Sequence, residues 1–197
     1  MSKNLSSLKR GYLTVIIGPM FSGKTTKLFS YIDVFKKIGL KTFYLRANFN
    51  HHDVIISRKI FTNHDKKKMK GLHIDGRGFT EIIDYIKKEK VQKVVIDEVN
   101  FLPKRQARQI IDFLLAEGID LILSGLAYDY RKREFGITLE YFKKADEAIE
   151  LFAVCQKCGK RADHSQRISG GIEQIEAVEE KTEYMAVCSR CHQVYGR

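Results

Sequence analysis

Residues 18–25 read GPMFSGKT, and no other stretch constrains the fold of this chain as strongly. The run fits G-x-x-x-x-G-K-[ST], a glycine-rich turn between a strand and a helix whose N–H groups cradle phosphate oxygens. Gly18 and Gly23 allow the tight turn. Lys24 supplies a point charge between the β- and γ-phosphates, and Thr25 offers a hydroxyl to Mg²⁺. The flanks agree. YLTVII (12–17) is a β-branched run that suits a strand. TKLFSYIDVFKK (26–37) has helical apolar spacing, with Leu28, Tyr31, Ile32 and Phe35 on one side. The candidate residues for ATP and Mg²⁺ are therefore Gly18, Pro19, Met20, Phe21, Ser22, Gly23, Lys24, Thr25 and Thr26, joined by Asp97.

A chain of 197 residues, 44% apolar, can bury one good core plus a small appendage. No segment approaches the run of roughly 18 apolar residues that spans a bilayer, and MSKNLSSLKR at the start is no signal peptide, so a cytoplasmic protein is expected. The net charge of +11 suits either nucleic acid or a small polyanion such as a nucleoside triphosphate. No nucleic-acid-reading motif accompanies the lysine clusters at 66–70 and 87–90, and solvated surface explains them as well.

Strand and helix signals alternate through the first 150 residues. KTFYLR (41–46), KVVIDE (93–98) and IDLILSG (119–125) read as strands. FTEIIDYIKKEK (79–90) reads as an amphipathic helix with Ile82, Ile83 and Ile86 inward, and Pro103 opens another that runs to about Ala116. Such alternation predicts an α/β fold with a parallel sheet, whose ligands sit beyond the carboxyl ends of the strands. Residues 47–62 resist assignment. Near residue 150 the pattern changes, which predicts a nucleotide-binding domain over 1–150 and a second unit over 151–197.

Asp97 and Glu98 stand where a hydrophobic strand emerges. An acid there holds the Mg²⁺ shell in phosphate-loop proteins, and Asp97 takes that part. Side-chain alternation sends Glu98 elsewhere and leaves it available as general base for a substrate hydroxyl. Phe101 is either core or a stacking surface for a planar base. SGLAYDYRKREFG (124–136) carries Arg131, Lys132 and Arg133, of which Arg131 is the candidate for charge on the transferring phosphoryl group.

Cys155, Cys158, Cys188 and Cys191 form two C-x-x-C pairs separated by residues 159–187. This spacing is that of a structural Cys₄ zinc site, with disulfides, a redox pair or a Cys/His mix through His192 as the competing readings. All four ligands come from protein, so such a zinc would clamp the two ends of the intervening loop and take no part in chemistry.

GPMFSGKT (18–25), VIDEVNFL (95–102), GLAYDYRKREFG (125–136), AVCQKCGKRADHSQR (153–167) and YMAVCSRCH (184–192) occur in one order that resembles the type II thymidine kinases. The resemblance runs from about residue 11 to 192. It implies transfer of the ATP γ-phosphoryl group to the 5′-hydroxyl of thymidine or deoxyuridine. It also implies a RecA-like domain with a small zinc domain carrying a lasso loop, a homotetramer, and feedback inhibition by dTTP. By the same resemblance Glu98 is the general base, and Met20, Phe101, Leu126, Phe135 and Tyr184 line the nucleoside pocket. The chain departs from the family pattern at Asn100, Leu102, Ala127 and Glu134, in the glycine-poor stretch 177–183, and around Asp53 and Arg58. Lys24, Thr25, Asp97 and Glu98 are untouched by these departures. Three readings compete with thymidine kinase: a nucleoside kinase of different base preference, a nucleic-acid-dependent ATPase with a zinc ribbon, and a non-catalytic relative that keeps the fold and binds ATP without turnover.

Overall fold

The computed structural model describes residues 10–47, 60–62, 68–70, 79–173 and 182–196. Five strands form one parallel sheet: β1 (Leu13–Ile17), β2 (Thr42–Arg46), β5 (Lys93–Asp97), β6 (Asp120–Gly125) and β7 (Glu147–Glu150), in the order β2-β5-β6-β1-β7. The α-helices in the described residues are α1 (Lys24–Lys37), α2 (Phe79–Glu89), α3 (Lys104–Ala116) and α4 (Thr138–Lys144). Two short strands, β3 (Ile60–Thr62) and β4 (Lys68–Lys70), pair antiparallel between β2 and α2. No helix among the described residues is long and apolar enough to cross a membrane.

The sheet is covered on both faces, which is why its strands are near-continuous hydrophobic runs. Every residue of β1 is buried. Side chains of alternate parity serve opposite faces. Leu13, Val15, Phe43, Leu45, Val94, Ile96, Leu121 and Leu123 pack with α2, α3 and Tyr141 of α4. Ile16, Tyr44, Val95 and Ile122 pack against Leu28, Phe29 and Ile32 of α1. The expected strands and helices are present within a residue or two of their sequence bounds, and Ile82, Ile83 and Ile86 are buried as expected. Within the five-stranded sheet and its covering helices, two elements were not expected: α4, only seven residues long, and β7, whose EAIE carries one full alternation. Both are too short for periodicity to reveal. Of residues 47–62, Ala47 is buried and 60–62 form β3; the rest, with the 54–56 stretch, Asp53, Arg58, His64 and His73, lies outside the described residues.

After β7 the chain makes two small hairpins, β8 (Ala153–Val154) with β9 (Arg161–Ala162), and β10 (His164–Arg167) with β11 (Tyr184–Val187). Their shared core consists of Ala153, Cys155, Ala162, Ala186, Val187 and Cys188, backed by Met185 and Cys191. The P-loop end of the sheet touches them directly. The Met20 amide donates to Ser165 Oγ on β10 at 2.9 Å, while just before the first hairpin the Leu151 amide continues the β1–β7 pairing by donating to the Ile17 carbonyl at 2.8 Å.

Candidate active site

The loop from Gly18 to Gly23 leaves the end of β1 and enters α1, whose first residue is Lys24. Gly18 is fixed by crowding: a Cβ there would lie 2.6 Å from both the Leu151 carbonyl oxygen and Ser22 Oγ. Lys24 turns back over the loop and donates from Nζ to the Gly18 and Pro19 carbonyls at 3.0 and 2.8 Å. Burial pushes its ammonium down to about 8, against the pull of Asp97 and Glu98. Ser22 Oγ is buried against Gly18 with no hydrogen-bond partner among the described residues. Phe21 is left-handed (φ 64) and exposed, and Thr26 stands in the first turn of α1.

Asp97 closes β5 and is 1% exposed. Its parity puts it on the α1 face, where Tyr44 of β2 and Ser124 of β6 also point. It accepts from Thr25 Oγ1 at 2.9 Å, from Tyr44 Oη at 3.2 Å, from the Glu98 amide at 3.0 Å, and from Ser124 Oγ. Burial, then the Asp97 charge, pushes the Tyr44 phenol far above its ordinary range, so it stays a donor. Thr25 hydroxyl and Asp97 carboxylate are hard oxygen donors side by side, the set that suits Mg²⁺ with further waters.

Glu98 leaves the strand differently from the alternation expected of it. β5 ends at Asp97, and Glu98 is left-handed (φ 56, ψ 40) at the head of a 3₁₀ turn over Val99–Phe101. The turn, not the pleat, separates the two carboxylates. Glu98 Oε1 accepts from Arg46 Nη2 at 2.6 Å. Arg46 sits opposite Asp97 in the β2–β5 register, so the strand pairing itself delivers the guanidinium to the next residue. Burial pushes the Glu98 carboxyl up; Arg46 opposes this and does not cancel it. Sequence reading had no role for Arg46, Tyr44 or Ser124. Their signal was a polar residue in an otherwise apolar strand, uninformative until the strand register is known.

Phe101 and Phe135 meet edge to face with centroids 5.2 Å apart. Leu126 donates its amide to Asn100 Oδ1 at 2.9 Å, so the buried Asn100 joins the end of β5 to the loop after β6. Of the other family departures, Leu102 is core, Ala127 is buried, and Glu134 is exposed in a backbone bridge with Tyr128 while Phe135 turns inward. Residues 174–181 lie outside the described residues.

The loop carrying the three cations is organised by Asp129, which accepts from the amides of Arg131 and Arg133 and from Arg133 Nε at 2.8 Å. Arg133 is thereby occupied. Arg131 lies over the Tyr130 ring at 5.1 Å.

The four cysteine sulfurs lie within 4.8 Å of one another, and Cys158 Sγ is 3.7 Å from Cys188 Sγ. Zn–S bonds of about 2.3 Å in a tetrahedron put the sulfurs roughly 3.8 Å apart, so the donor set fits Zn²⁺. The cysteines are free of disulfides. Each pair sits on a tight turn: the Gly159 amide (φ 72) donates to the Cys155 carbonyl, and the Cys191 amide to that of Cys188. Burial raises the Cys155 thiol, but the amides of Cys188, Lys157 and Cys158 overcome this and bring it down to about 6. Hydrogen bonds to Cys158 and Cys188 push Cys191 up to about 12. His192 is not aimed at the sulfurs; its Nε2 pairs with the Tyr130 carbonyl at 2.9 Å.

Met20 and Tyr184 belong to this second assembly. Met20 is tied to Ser165, Ser165 pairs with Ala186, and Tyr184 stands opposite Arg167 on the same ladder.

A sequence model of the family described as "Thymidine kinase" matches residues 11–192. A thymidine kinase of Mycoplasma mobile is 31% identical over 185 residues, covering 92% of this chain and 87% of its own. One of Thermococcus kodakarensis is 32% identical over 168 residues, covering 82% and 81%. Among solved structures, a DNA replication initiation factor aligns with a TM-score of 0.42 and 18% identity, over 78% of this chain and 43% of that one.

Proposed function

The chain belongs to the thymidine kinase family, and from that premise we propose that it transfers the γ-phosphoryl group of ATP to the 5′-hydroxyl of thymidine, and of deoxyuridine, giving dTMP and ADP. The observation that carries this reading is the meeting of Lys24, Thr25, Asp97 and Glu98 at the carboxyl ends of β1 and β5.

Glu98 is the general base: it takes the proton of the 5′-hydroxyl as that oxygen attacks phosphorus in line. Lys24 exchanges its loop carbonyls for phosphate oxygens, and the loop amides hold the rest of the developing charge. Thr25 and Asp97 would hold Mg²⁺, which neutralises phosphate charge when bound. Arg131 adds a cation from the loop after β6. Arg46 orients Glu98. Cys155, Cys158, Cys188 and Cys191 would hold Zn²⁺, whose part is structural.

To the nucleoside side we assign Phe101 and Phe135, which meet edge to face, together with Met20, Leu126 and Tyr184 from the family resemblance. The fold is read as a RecA-like kinase domain over 1–150 and a zinc-ribbon-like lasso domain over 151–197. A cytoplasmic homotetramer inhibited by dTTP completes the proposal, with no nucleic-acid or membrane partner.

The test is transfer from γ-labelled ATP to thymidine, deoxyuridine, deoxycytidine and deoxyguanosine, with Glu98→Ala as control. Labelled thymidine and deoxyuridine monophosphates, lost in the variant, are expected. No nucleoside product, with ATP hydrolysis stimulated by DNA or RNA, would overturn the reading in favour of the nucleic-acid-dependent ATPase. A preference for deoxycytidine would replace only the base assignment.

A further inference from the structure

Arg167 is among the largest fully buried side chains of the described residues, 1% exposed, and it stands in the last rung of the β10–β11 ladder opposite Tyr184. Beyond this rung one arm of the intervening chain leaves through Ile168 and the other returns through Glu183, joined by a hydrogen bond of 2.8 Å. The guanidinium uses its whole fork. Nε and Nη2 donate to Tyr184 Oη at 3.1 and 2.6 Å, and Nη1 donates to the carbonyls of Gly171 and Glu173 at 2.6 and 2.7 Å. Its Cζ lies over the Tyr130 ring, 4.0 Å from the centroid. Tyr130, 2% exposed, donates its hydroxyl to the carbonyl between those two, that of Ile172. The carbonyls of residues 171, 172 and 173 are thus held in sequence by two stacked side chains from different parts of the chain. All three contacts are to backbone, so they fix the path of the outgoing arm whatever its side chains are. Tyr130 is anchored in turn from the metal-binding turn, where His192 pairs with its carbonyl.

We propose that Arg167, braced on Tyr130, is the positioning residue of the nucleoside side of the site: it pins the outgoing arm by its carbonyls and, through the hydroxyl of Tyr184, sets the orientation of that ring. The part concerning Tyr184 rests on the thymidine kinase reading; the clamp on residues 171–173 does not. A lysine cannot replace this arginine, because a point charge neither spans two carbonyls and a phenol nor stacks flat on an aromatic ring.

The experiment compares the wild-type protein with Arg167→Met, Arg167→Lys and Tyr130→Phe by steady-state kinetics and by amide hydrogen exchange. Loss of a buried charge-assisted network predicts a thymidine KM raised about tenfold or more in Arg167→Met. The KM for ATP should change less than about twofold, because the contacts of Lys24, Thr25 and Asp97 do not run through Arg167. Arg167→Lys should fall between, and Tyr130→Phe, which removes one hydroxyl, should raise the thymidine KM about threefold. Amide protection should drop at residues 171–173 and 184–187 while β1 and β6 keep theirs. Unchanged protection at 171–173, or KM values for both substrates rising together, would overturn the proposal. If Arg167→Met loses protection in β1 and β6 as well, Tyr130→Phe decides by the same two readouts. If the wild-type protein phosphorylates no nucleoside, the kinase reading falls and exchange still decides the clamp.

Discussion

The phosphate end of the molecule and the cysteine end are built on opposite principles. Around Lys24, Thr25 and Asp97 the groups sit on long parallel strands and a fourteen-residue helix, backed by a two-faced core of branched aliphatic side chains. Around the four cysteines the strands are two to four residues long and the core is largely alanine and cysteine. Such a core removes little apolar surface from water, at roughly 25 cal/mol per Å², and small units of this kind depend on metal or cross-links. Precision at the phosphate end comes from burial. At the cysteine end it comes from the Arg167–Tyr130 stack and from four clustered cysteines whose geometry fits a metal ion. A chemical step can therefore be lost without harm to the second end, and the second end can be taken apart with the first left standing.

The largest expected effect breaks the comparison at the chemical step. Glu98→Gln should lower the transfer rate by about 10²–10⁴-fold, as loss of a general base does. Metal content and the fold of both ends should be kept, measured by zinc analysis and circular dichroism. Because burial raises the Glu98 carboxyl, its folded form holds a proton at pH values where the unfolded chain has released it. Stability therefore falls as pH rises from the ordinary carboxylate value through the raised one, and Glu98→Gln should be at least as stable as the parent above that window.

Next in size is removal of metal. Chelation, or Cys188→Ser, should abolish amide protection through residues 153–167 and 184–192 and raise the thymidine KM by about tenfold or more, since closed zinc sites contribute folding energy outright. ATP binding, followed by calorimetry, should persist. Simultaneous loss of protection in β1 and β6 would show that the two ends are one cooperative unit.

A smaller effect lies at the joint between carboxylate and strand. Arg46→Met should lower kcat about tenfold with little change in ATP KM, and Arg46→Lys should recover part of it. For the parent enzyme, kcat/KM should rise with pH through the raised Glu98 value and fall again above about 8, where Lys24 loses its proton. For Lys24 the stability sign is set by its lowered value: stability increases between about 8 and the ordinary 10.5, as the buried ammonium is neutralised. The smallest effect is that of Gly159→Ala. It sits at φ 72 with nothing within 4 Å of a new Cβ, so only backbone strain acts, about 1 kcal/mol on the cysteine end by thermal unfolding.

The same contrast explains what could be read before the structure. The phosphate loop and the Asp97–Glu98 pair are contiguous motifs on strongly patterned elements, and the cysteine spacing names its own geometry. Arg46, Tyr44 and Ser124 could not be read in this way. Each meets Glu98 or Asp97 only because parallel register brings β2, β5 and β6 together, and no local spacing encodes that register. Arg167 was hidden for a different reason. A single arginine in HSQR looks like a surface residue until Tyr130 arrives from the loop after β6 to cover it. Asn100, a departure from the family pattern, is a buried joint holding the Leu126 amide.

The hydrogen bond from the Met20 amide to Ser165 Oγ joins groups 145 positions apart. On the ribosome a chain emerges from its N-terminus, so the phosphate loop is made well before the residue that braces its Met20 amide. An incomplete chain ending short of residue 165 leaves that amide without its hydroxyl and the loop without its brace. The contacts of Lys24, Thr25 and Asp97 are all made by residues that precede residue 165, so the brace is the finishing piece of the phosphate end and not its foundation.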